Sequence, residues 1–542
     1  GGCESQGVDE DDTLRLSAIA ALFVARHHSG VDVLGNDLDA LSTEFTEQMP
    51  VALSLPTDEI DTWMADELAK RGVILPEDLP ELAEMDGLFT EAITFPEYDE
   101  FTTPDYLRFR MMFSLLLAAD IRSAALYNME KRTPPSPELV PEYKAVKFGT
   151  PKDDLARLRH DTAERVLSRL DGANSLITLT APTGSGKTLI GLEAALMLAG
   201  DRRIVYCLPF TSIIDQNCDV FRDVLGTDEF DTILKHHHLA EIPFTKNMND
   251  DDENSPMDEK AQKQFQQGEI MMEHWDSAIV ITTFVQLFNT LFGADKSSLI
   301  RLSRLANTVI LLDEVQAVPR RDWEIFEEML TLLIERYGIS VILMTATQPA
   351  IALPERSHEL FPEAGDMWQG RDRYRLVNRT QNTMTIEQLA DEIVQEGFDG
   401  SIIVILNTIR ESIELFTMLS EDHGMSNVHY LSSNITPKDR RERIEMLRNL
   451  GDKPFVLVTT QVIEAGVDIS CGLMYRDLAP LDSIVQSAGR CNRNSELNMG
   501  EVRVIKVERE DARRLPAFMV YDSVLLHETQ NTLQNENYTE NE

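Results

Sequence analysis

The eight residues Ala181-Pro182-Thr183-Gly184-Ser185-Gly186-Lys187-Thr188 constrain the fold of this chain more than any other stretch of its 542 residues. They follow the apolar run SLITLT and precede LIGLEAALMLAG. The order strand, glycine loop, helix is therefore expected. Main-chain N–H groups in such a turn can converge on phosphate oxygens, and the following helix adds the positive end of its dipole. In this reading Thr183, Gly184, Ser185 and Gly186 form the cradle. Lys187 brings a point charge to the β- and γ-phosphates, and Thr188 brings a hydroxyl to magnesium. The ligand expected here is ATP with magnesium.

A phosphate loop of this kind needs a parallel α/β sheet behind it. The runs SLITLTAP, RIVYCLP, AIVITT, TVILLDE and VILMTAT supply one between residues 151 and 375, the expected ATP-binding lobe. They are short, apolar throughout and followed by polar loops, as strands buried on both faces are. A second series (SIIVILNT, VHYLSS, FVLVTT, GLMYRD, EVRVIKV) implies a second α/β lobe over 376–508. Residues 1–132 are mostly helical by period, as in LRLSAIAALFVARHH and YLRFRMMFSLLLAADIRSAALY. Residues 133–150 are rich in proline and turn formers and read as a linker. The polar stretch 246–267 reads as a loop insertion.

The remaining motifs fall in order along this frame. Asp313-Glu314-Val315-Gln316 ends an apolar strand 126 residues after Lys187. Carboxylates at the C-terminal end of a parallel strand lie beside the phosphate loop. Asp313 is expected to hold magnesium, and Glu314 to orient and deprotonate the attacking water. Thr345-Ala346-Thr347 ends the next strand, where hydroxyls can bond both the carboxylate motif and the facing lobe. In the second lobe Thr459-Thr460-Gln461-Val462-Ile463-Glu464-Ala465-Gly466-Val467-Asp468 follows a strand, with Gly466 and Asp468 expected near the nucleotide. Gln486, Arg490 and Arg493 are expected on one face of a helix. From there two guanidinium groups would reach the γ-phosphate as arginine fingers, and Gln486 would position water. Pro209 and Thr211, Thr283, Asn407 and Thr459 sit at strand ends suited to contacting a nucleic-acid backbone without reading bases.

Charge alone would point elsewhere. The formal net charge is -42, and Arg outnumbers Lys by more than two to one. A nucleic-acid motor usually shows basic surfaces, because phosphate contacts supply most of its affinity. Many carboxylates with few lysines suit a cell with molar internal salt, where the Debye length falls to ~3 Å and self-repulsion is screened. A halophilic host is the expectation. The five cysteines are scattered, without a CxxC pair, which favours a reducing, cytoplasmic setting over a disulfide framework. No apolar run is long enough for a membrane helix, and the acidic start lacks the form of a secretory signal.

These motifs, in this order, resemble those of superfamily 2 helicases. The wording LPFTSIIDQN, ITTFVQLFNTLF, LLDEVQAVP, MTATQP, LNTIRESIELF, YLSSNITPKDRRERIE and SIVQSAGRCNRN resembles the CRISPR-associated helicase-nuclease of type I interference systems, over roughly 155–530. Ala181 at the first loop position is a common variation among helicases. The resemblance implies two tandem RecA-like parallel-sheet lobes behind a mostly helical HD nuclease domain. It also implies single-stranded DNA as the track, 3′ to 5′ movement, and recruitment by a Cascade-type CRISPR surveillance complex. In the HD domain His27, His28 and Asp120 look like ligands of a divalent transition metal. The family's early His, its His-Asp pair and its third His motif are absent. The chain also stops soon after VYDSVLLHETQNTL, so residues 509–542 look like the start of a C-terminal region and both ends look cut. The motor is expected to be complete and the nuclease site incomplete. His236-His237-His238 reads as a loop triplet without a metal.

Two rival readings remain: another superfamily 2 motor acting on RNA, and a non-catalytic fragment that only binds CRISPR partners. Activity measured against KCl concentration is expected to peak near molar salt. An optimum at low salt would remove the halophilic reading.

Overall fold

The computed structural model describes residues 102–540, with breaks at 126, 128–130, 171–174, 183, 238–258, 347–356, 365–371, 398–399, 452, 465–468, 494–496 and 510–513. His27, His28, Thr183, Gly466 and Asp468 therefore lie outside the described residues.

Two seven-stranded sheets organise the chain. The first contains β1 (Leu176–Thr180), β2 (Arg203–Leu208), β3 (Ile233–His236), β4 (Ile279–Thr283), β5 (Thr308–Asp313), β6 (Ser340–Thr345) and β7 (His358–Glu359). Their spatial order is β3-β4-β2-β5-β6-β1-β7. Every pairing in it is parallel. The second contains β8 (Tyr374–Asn378), β9 (Ile402–Ile405), β10 (Val428–Leu431), β11 (Val456–Thr459), β12 (Leu473–Asp477), β13 (Gly500–Ile505) and β14 (Asn537–Thr539). Their order is β10-β11-β9-β12-β13-β8-β14, parallel except for β14, which runs antiparallel to β8.

The continuous apolar runs are explained by burial on both faces. In the first sheet Ile177, Leu179, Ile204, Tyr206, Val309, Leu311 and Met344 pack toward the helices Lys187–Ala199 and Thr211–Leu225. Their neighbours along the strands, among them Val205, Cys207, Ile310, Leu312 and Leu343, face the helices Phe284–Phe292 and Trp323–Tyr337. The second sheet divides its faces the same way: Val404, Val458 and Tyr475 lie on one, Ile405, Leu457 and Met474 on the other.

Three expected boundaries come out differently. The proline-rich stretch 133–150 contains the helix Leu139–Phe148, whose Val140 is wholly buried in the first lobe's core. Pro134, Pro135 and Pro137 precede that helix and Pro141 lies in its first turn, where a missing N–H has no intrahelical partner to lose. The helix Thr103–Ala124, expected within a separate N-terminal domain, places Leu107 and Met111 in the first lobe's core. Arg110 on that helix donates to the carbonyls of Thr290 at 3.3 Å and Gly293 at 2.6 Å. The second lobe begins at β8 rather than after residue 375, and the segment past 508 returns to supply β14 on β8.

Leu107 is fully buried. Leu107→Ala is expected to lower unfolding stability by about 2–5 kcal/mol. Denaturant unfolding checks this, and a loss under ~1 kcal/mol would mean that this helix does not share the lobe's core.

Candidate active site at the junction of the two sheets

The phosphate loop joins β1 to the helix Lys187–Ala199. Gly184 and Gly186 have φ of 84° and 92°, a region that side chains with a Cβ rarely enter. Gly186 caps the helix in the left-handed region. The N–H of Ala181 donates to the Thr345 carbonyl at 3.0 Å, tying the loop to the end of β6. The guanidinium Nε of Arg159 donates to the Gly184 carbonyl at 2.7 Å.

Lys187 is 8% exposed, and its ammonium lies 3.7 Å from Glu314 Oε1. Asp313 ends β5 and is 6% exposed. Its Oδ2 accepts from the Tyr206 hydroxyl at 2.6 Å, and that hydroxyl accepts from Asn217 at 3.1 Å. Burial, followed by the neighbouring Glu314 charge, pushes the Asp313 carboxyl up to about 6, against the opposing pull of Lys187 and Tyr206. Glu314 has φ 56°, a left-handed conformation that costs a non-glycine residue about 1–2 kcal/mol. Strain of this kind persists where surrounding structure enforces it, and it clusters at functional sites. Gln316 fixes the carboxylate, donating to Glu314 Oε2 at 2.7 Å and accepting from Thr345 Oγ1 at 2.8 Å. The expected link between Thr345 and the carboxylate motif thus runs through Gln316.

Ser185 Oγ, Lys187 Nζ and Asp313 Oδ1 are buried without a hydrogen-bond partner among the described residues. Buried polar atoms are normally satisfied. A cationic donor, a hydroxyl and a carboxylate oxygen around a glycine turn fit a phosphate chain and its divalent cation. Thr188, at the second position of the helix, is half-buried beside them.

The second lobe meets this site. Gln486 Nε2 lies 3.5 Å from Glu314 Oε2, a long contact that joins the two lobes across the carboxylate. A second bridge joins Arg441 to Asp215 at 3.2 Å, and Asp215 also holds Lys235 at 2.8 Å. The shared helical face expected for Gln486, Arg490 and Arg493 is corrected. The helix Leu481–Ala488 ends before the arginines. Cys491 is held there in a β-bridge to Cys471, and Asn492 has φ 46°. That bridge turns the chain out of the helix. Arg490 instead donates to the Glu464 carbonyl at 2.9 Å, and the Arg493 N–H donates to Ser470 at 3.2 Å.

Residues 161–353 match the DEAD/DEAH box helicase family, and residues 399–496 match the family described as CRISPR-associated nuclease/helicase Cas3, C-terminal. The first match falls on the first sheet and the second on the second sheet, and both are to helicase families. It is 29% identical over 510 residues to the CRISPR-associated nuclease/helicase Cas3 of Haloferax volcanii, covering 71% of this chain and 54% of that one. The chain therefore spans little more than half the length of that relative. T. fusca Cas3 with AMPPNP shares the fold with a TM-score of 0.56 at 20% identity, over 86% of this chain and 56% of the other. A chain of a CRISPR RNA-guided surveillance complex, pre-nicking, gives 0.53 at 18% identity, over 86% and 60%.

The expected DNA-contacting residues divide. Pro209 and Thr211 are half-buried and follow β2, next to the end of β4, since Leu208 pairs with Thr283. Thr283 is also corrected: it is 6% exposed, and its hydroxyl caps the helix Phe284–Phe292, accepting from the Gln286 N–H at 3.1 Å. Asn407 and Thr459 are corrected. Asn407 is 4% exposed, and its side chain is consumed by Asp477, the Leu478 carbonyl and Arg476. Thr459 is wholly buried and donates to the Thr460 carbonyl. Both hold the interior together, and neither side chain can reach a strand outside. Asp120 is half-buried on the helix Thr103–Ala124, and no cluster of metal-ligating side chains occurs among the described residues. His236 ends β3 in the core, with burial and then the Arg301 charge pushing it down to about 3. Its Nε2 lies 3.1 Å from Arg301. Tyr206, Asn217 and Arg159 escaped the sequence reading. The one visible signal is a tyrosine inside the otherwise aliphatic run RIVYCL.

The raised Asp313 carboxyl makes a pH prediction. A raised folded-state value means that its contribution to stability is present below the unfolded value and is lost as pH rises through about 6. In nucleotide-free protein Asp313→Asn is therefore expected to be more stable than wild type at pH 8, on the order of 2 kcal/mol. The gap should close toward pH 4. A constant gap, measured by denaturant unfolding across this range, would refute the burial argument.

Proposed function

We propose that this chain is an ATP-hydrolysing motor that draws single-stranded DNA across its two lobes, moving 3′ to 5′ in CRISPR type I interference. The observation that carries this reading is the contact of Gln486, from the second lobe, with Glu314, which also lies against Lys187. It brings Gln486 of one lobe to a carboxylate that lies beside the phosphate-loop lysine of the other. In this proposal Gly184, Ser185, Gly186 and Lys187, with Thr183, hold the phosphates. Thr188 and Asp313 hold magnesium, which neutralises developing charge on the phosphate oxygens. Glu314 accepts a proton from water as its oxygen attacks the γ-phosphorus and the bond to the ADP oxygen breaks. Arg490 and Arg493 stabilise the transferring phosphoryl group, and Gly466 and Asp468 complete the nucleotide side of the second lobe.

Pro209 and Thr211, just past the end of β2 in the first lobe, support a path for the DNA backbone. The likeness to a chain of a surveillance complex supports recruitment by a Cascade-type assembly. A nuclease site including His27, His28 and Asp120 would require a transition metal and further ligands, so cleavage is proposed to be incomplete in this chain. A cytoplasmic setting fits the scattered cysteines, and no described helix is long and apolar enough to cross a membrane. A halophilic host is supported by the net charge of -42.

ATP turnover is expected to rise severalfold with single-stranded DNA and little with RNA of the same length. Lys187→Ala should lower turnover about a thousandfold or more, as loss of a phosphate-stabilising cation does. Preferential stimulation by RNA would favour an RNA motor, and turnover unchanged by Lys187→Ala would leave only a binding fragment.

A further inference from the structure

The charged side chain buried most deeply in the second lobe has no part in the scheme above. Arg476 ends the strand β12 with its neighbour Asp477 and is 0% exposed. A guanidinium without access to water must find its partners inside the protein, or its desolvation is uncompensated. Arg476 finds five. Nη1 donates to Asn407 Oδ1 and to the Asp477 carbonyl, both at 2.8 Å. Nη2 donates to Glu464 Oε1 at 2.7 Å, to the Tyr521 hydroxyl at 2.9 Å and to Ser483 Oγ at 3.0 Å.

Apart from the adjacent Asp477, these partners belong to four separate stretches of chain. Asn407 follows β9, Glu464 follows β11, Ser483 lies on the helix Leu481–Ala488 that carries Gln486, and Tyr521 lies in the segment past 508. The network closes on itself. Ser483 Oγ donates to Glu464 Oε2 at 2.8 Å, and Gln461 donates to the Asn407 carbonyl at 2.9 Å. It also reaches outward, since the main-chain carbonyl of Glu464 accepts from Arg490 Nη2 at 2.9 Å. Glu464 is thus gripped by its carboxylate on one side and orients Arg490 with its carbonyl on the other.

We propose that Arg476 is a positioning residue for phosphoryl transfer, fixing Glu464 and, through the Glu464 carbonyl, the guanidinium of Arg490. This rests on the ATPase reading above. A planar fork is required, because the two ends of the guanidinium must meet Asn407 and Glu464 at once, and the ammonium of a lysine offers a single point. A purely stabilising role would not need this wiring, since buried ion pairs are often replaced by apolar residues without loss of stability.

The test is steady-state ATP hydrolysis by the full chain with single-stranded DNA, with thermal unfolding measured on every variant. The variants are Lys187→Ala, Arg490→Ala, Arg476→Met, Arg476→Lys and the double variant Arg476→Met/Arg490→Ala. Arg476→Met is expected to lower kcat about ten- to a hundredfold, the usual cost of a small misplacement, with KM for ATP within about twofold of wild type. Arg476→Lys should lose kcat comparably although it keeps the charge. The double variant should be no slower than Arg490→Ala, because residues acting through one another are not additive. Losses that multiply in the double variant, or full kcat in Arg476→Met, would overturn the proposal. If Arg476→Met does not fold, Arg476→Lys takes its place in the cycle and is read the same way. Wild-type turnover that does not depend on Lys187 would sink the ATPase reading itself, and this inference with it. That result is distinct from multiplied losses in a working motor.

Discussion

Lys187 and Glu314 meet at 3.7 Å in a place nearly closed to water, and Asp313 lies beside them with one oxygen unpartnered. The rest of the structure can be understood as the means of holding this cluster together. One ammonium faces two carboxylates in a low dielectric, so the nucleotide-free cluster is electrostatically unsettled. Burial first, and the Glu314 charge second, raise its Asp313 carboxyl to about 6. A divalent cation bound there would compete with a proton for the same carboxylate oxygens. The glycine geometry at 184 and 186, the strained main chain of Glu314 and the Tyr206 hydroxyl keep the cluster from relaxing. A site preorganised in this way spends little reorganisation when phosphate arrives.

Much of the frame could be read from the sequence, because its signals are local. Apolar runs of five or six residues between polar loops gave the parallel strands, and the glycine turn between SLITLT and LIGLEAALMLAG gave the phosphate loop. What escaped depends on partners far apart in the chain. Spacing suggested that Arg490 and Arg493 shared a helical face, yet the Cys471–Cys491 bridge, which no helical periodicity encodes, ends the helix first. Asn407 and Thr459 looked like surface donors because they are polar residues at strand ends. Asn407 is consumed by Asp477 and Arg476, some 70 residues downstream, and Thr459 ends β11 between the strands β10 and β9. Prolines suggested a linker where they in fact open a helix. In each case short-range chemistry was sound and a long-range contact decided the outcome.

The composition takes on a different sense once the arginines are placed. Among the described residues Arg110, Arg301, Arg373, Arg476 and Arg503 are buried inside the fold. Arg476 with Glu464, Arg373 with Glu540, Arg304 with Asp276 and Arg503 with Glu396 are forks, most of them buried, that join separate segments. Arginine suits this use because its planar group bonds two acceptors at fixed angles and is more weakly hydrated than an ammonium. These pairs are neutral, so the excess of 92 acidic over 50 basic residues is carried by other side chains.

That division of labour bears on how an acidic protein could track along a polyanion. Exposed charges more than a Debye length apart are largely screened as salt rises, whereas buried pairs are screened much less. In molar salt the outer carboxylates would lose most of their repulsion toward DNA, while the forks that hold each lobe together would keep their strength. Binding would then rest less on counterion release, which salt suppresses, than on neutral hydroxyl and main-chain donors at strand ends. Thr211, half-buried at the start of the helix that follows β2, is a group of that kind. An affinity built on such groups would change less with salt than one built on lysines. On this argument the acidic composition and the DNA-motor reading are compatible, because they draw on different parts of the molecule.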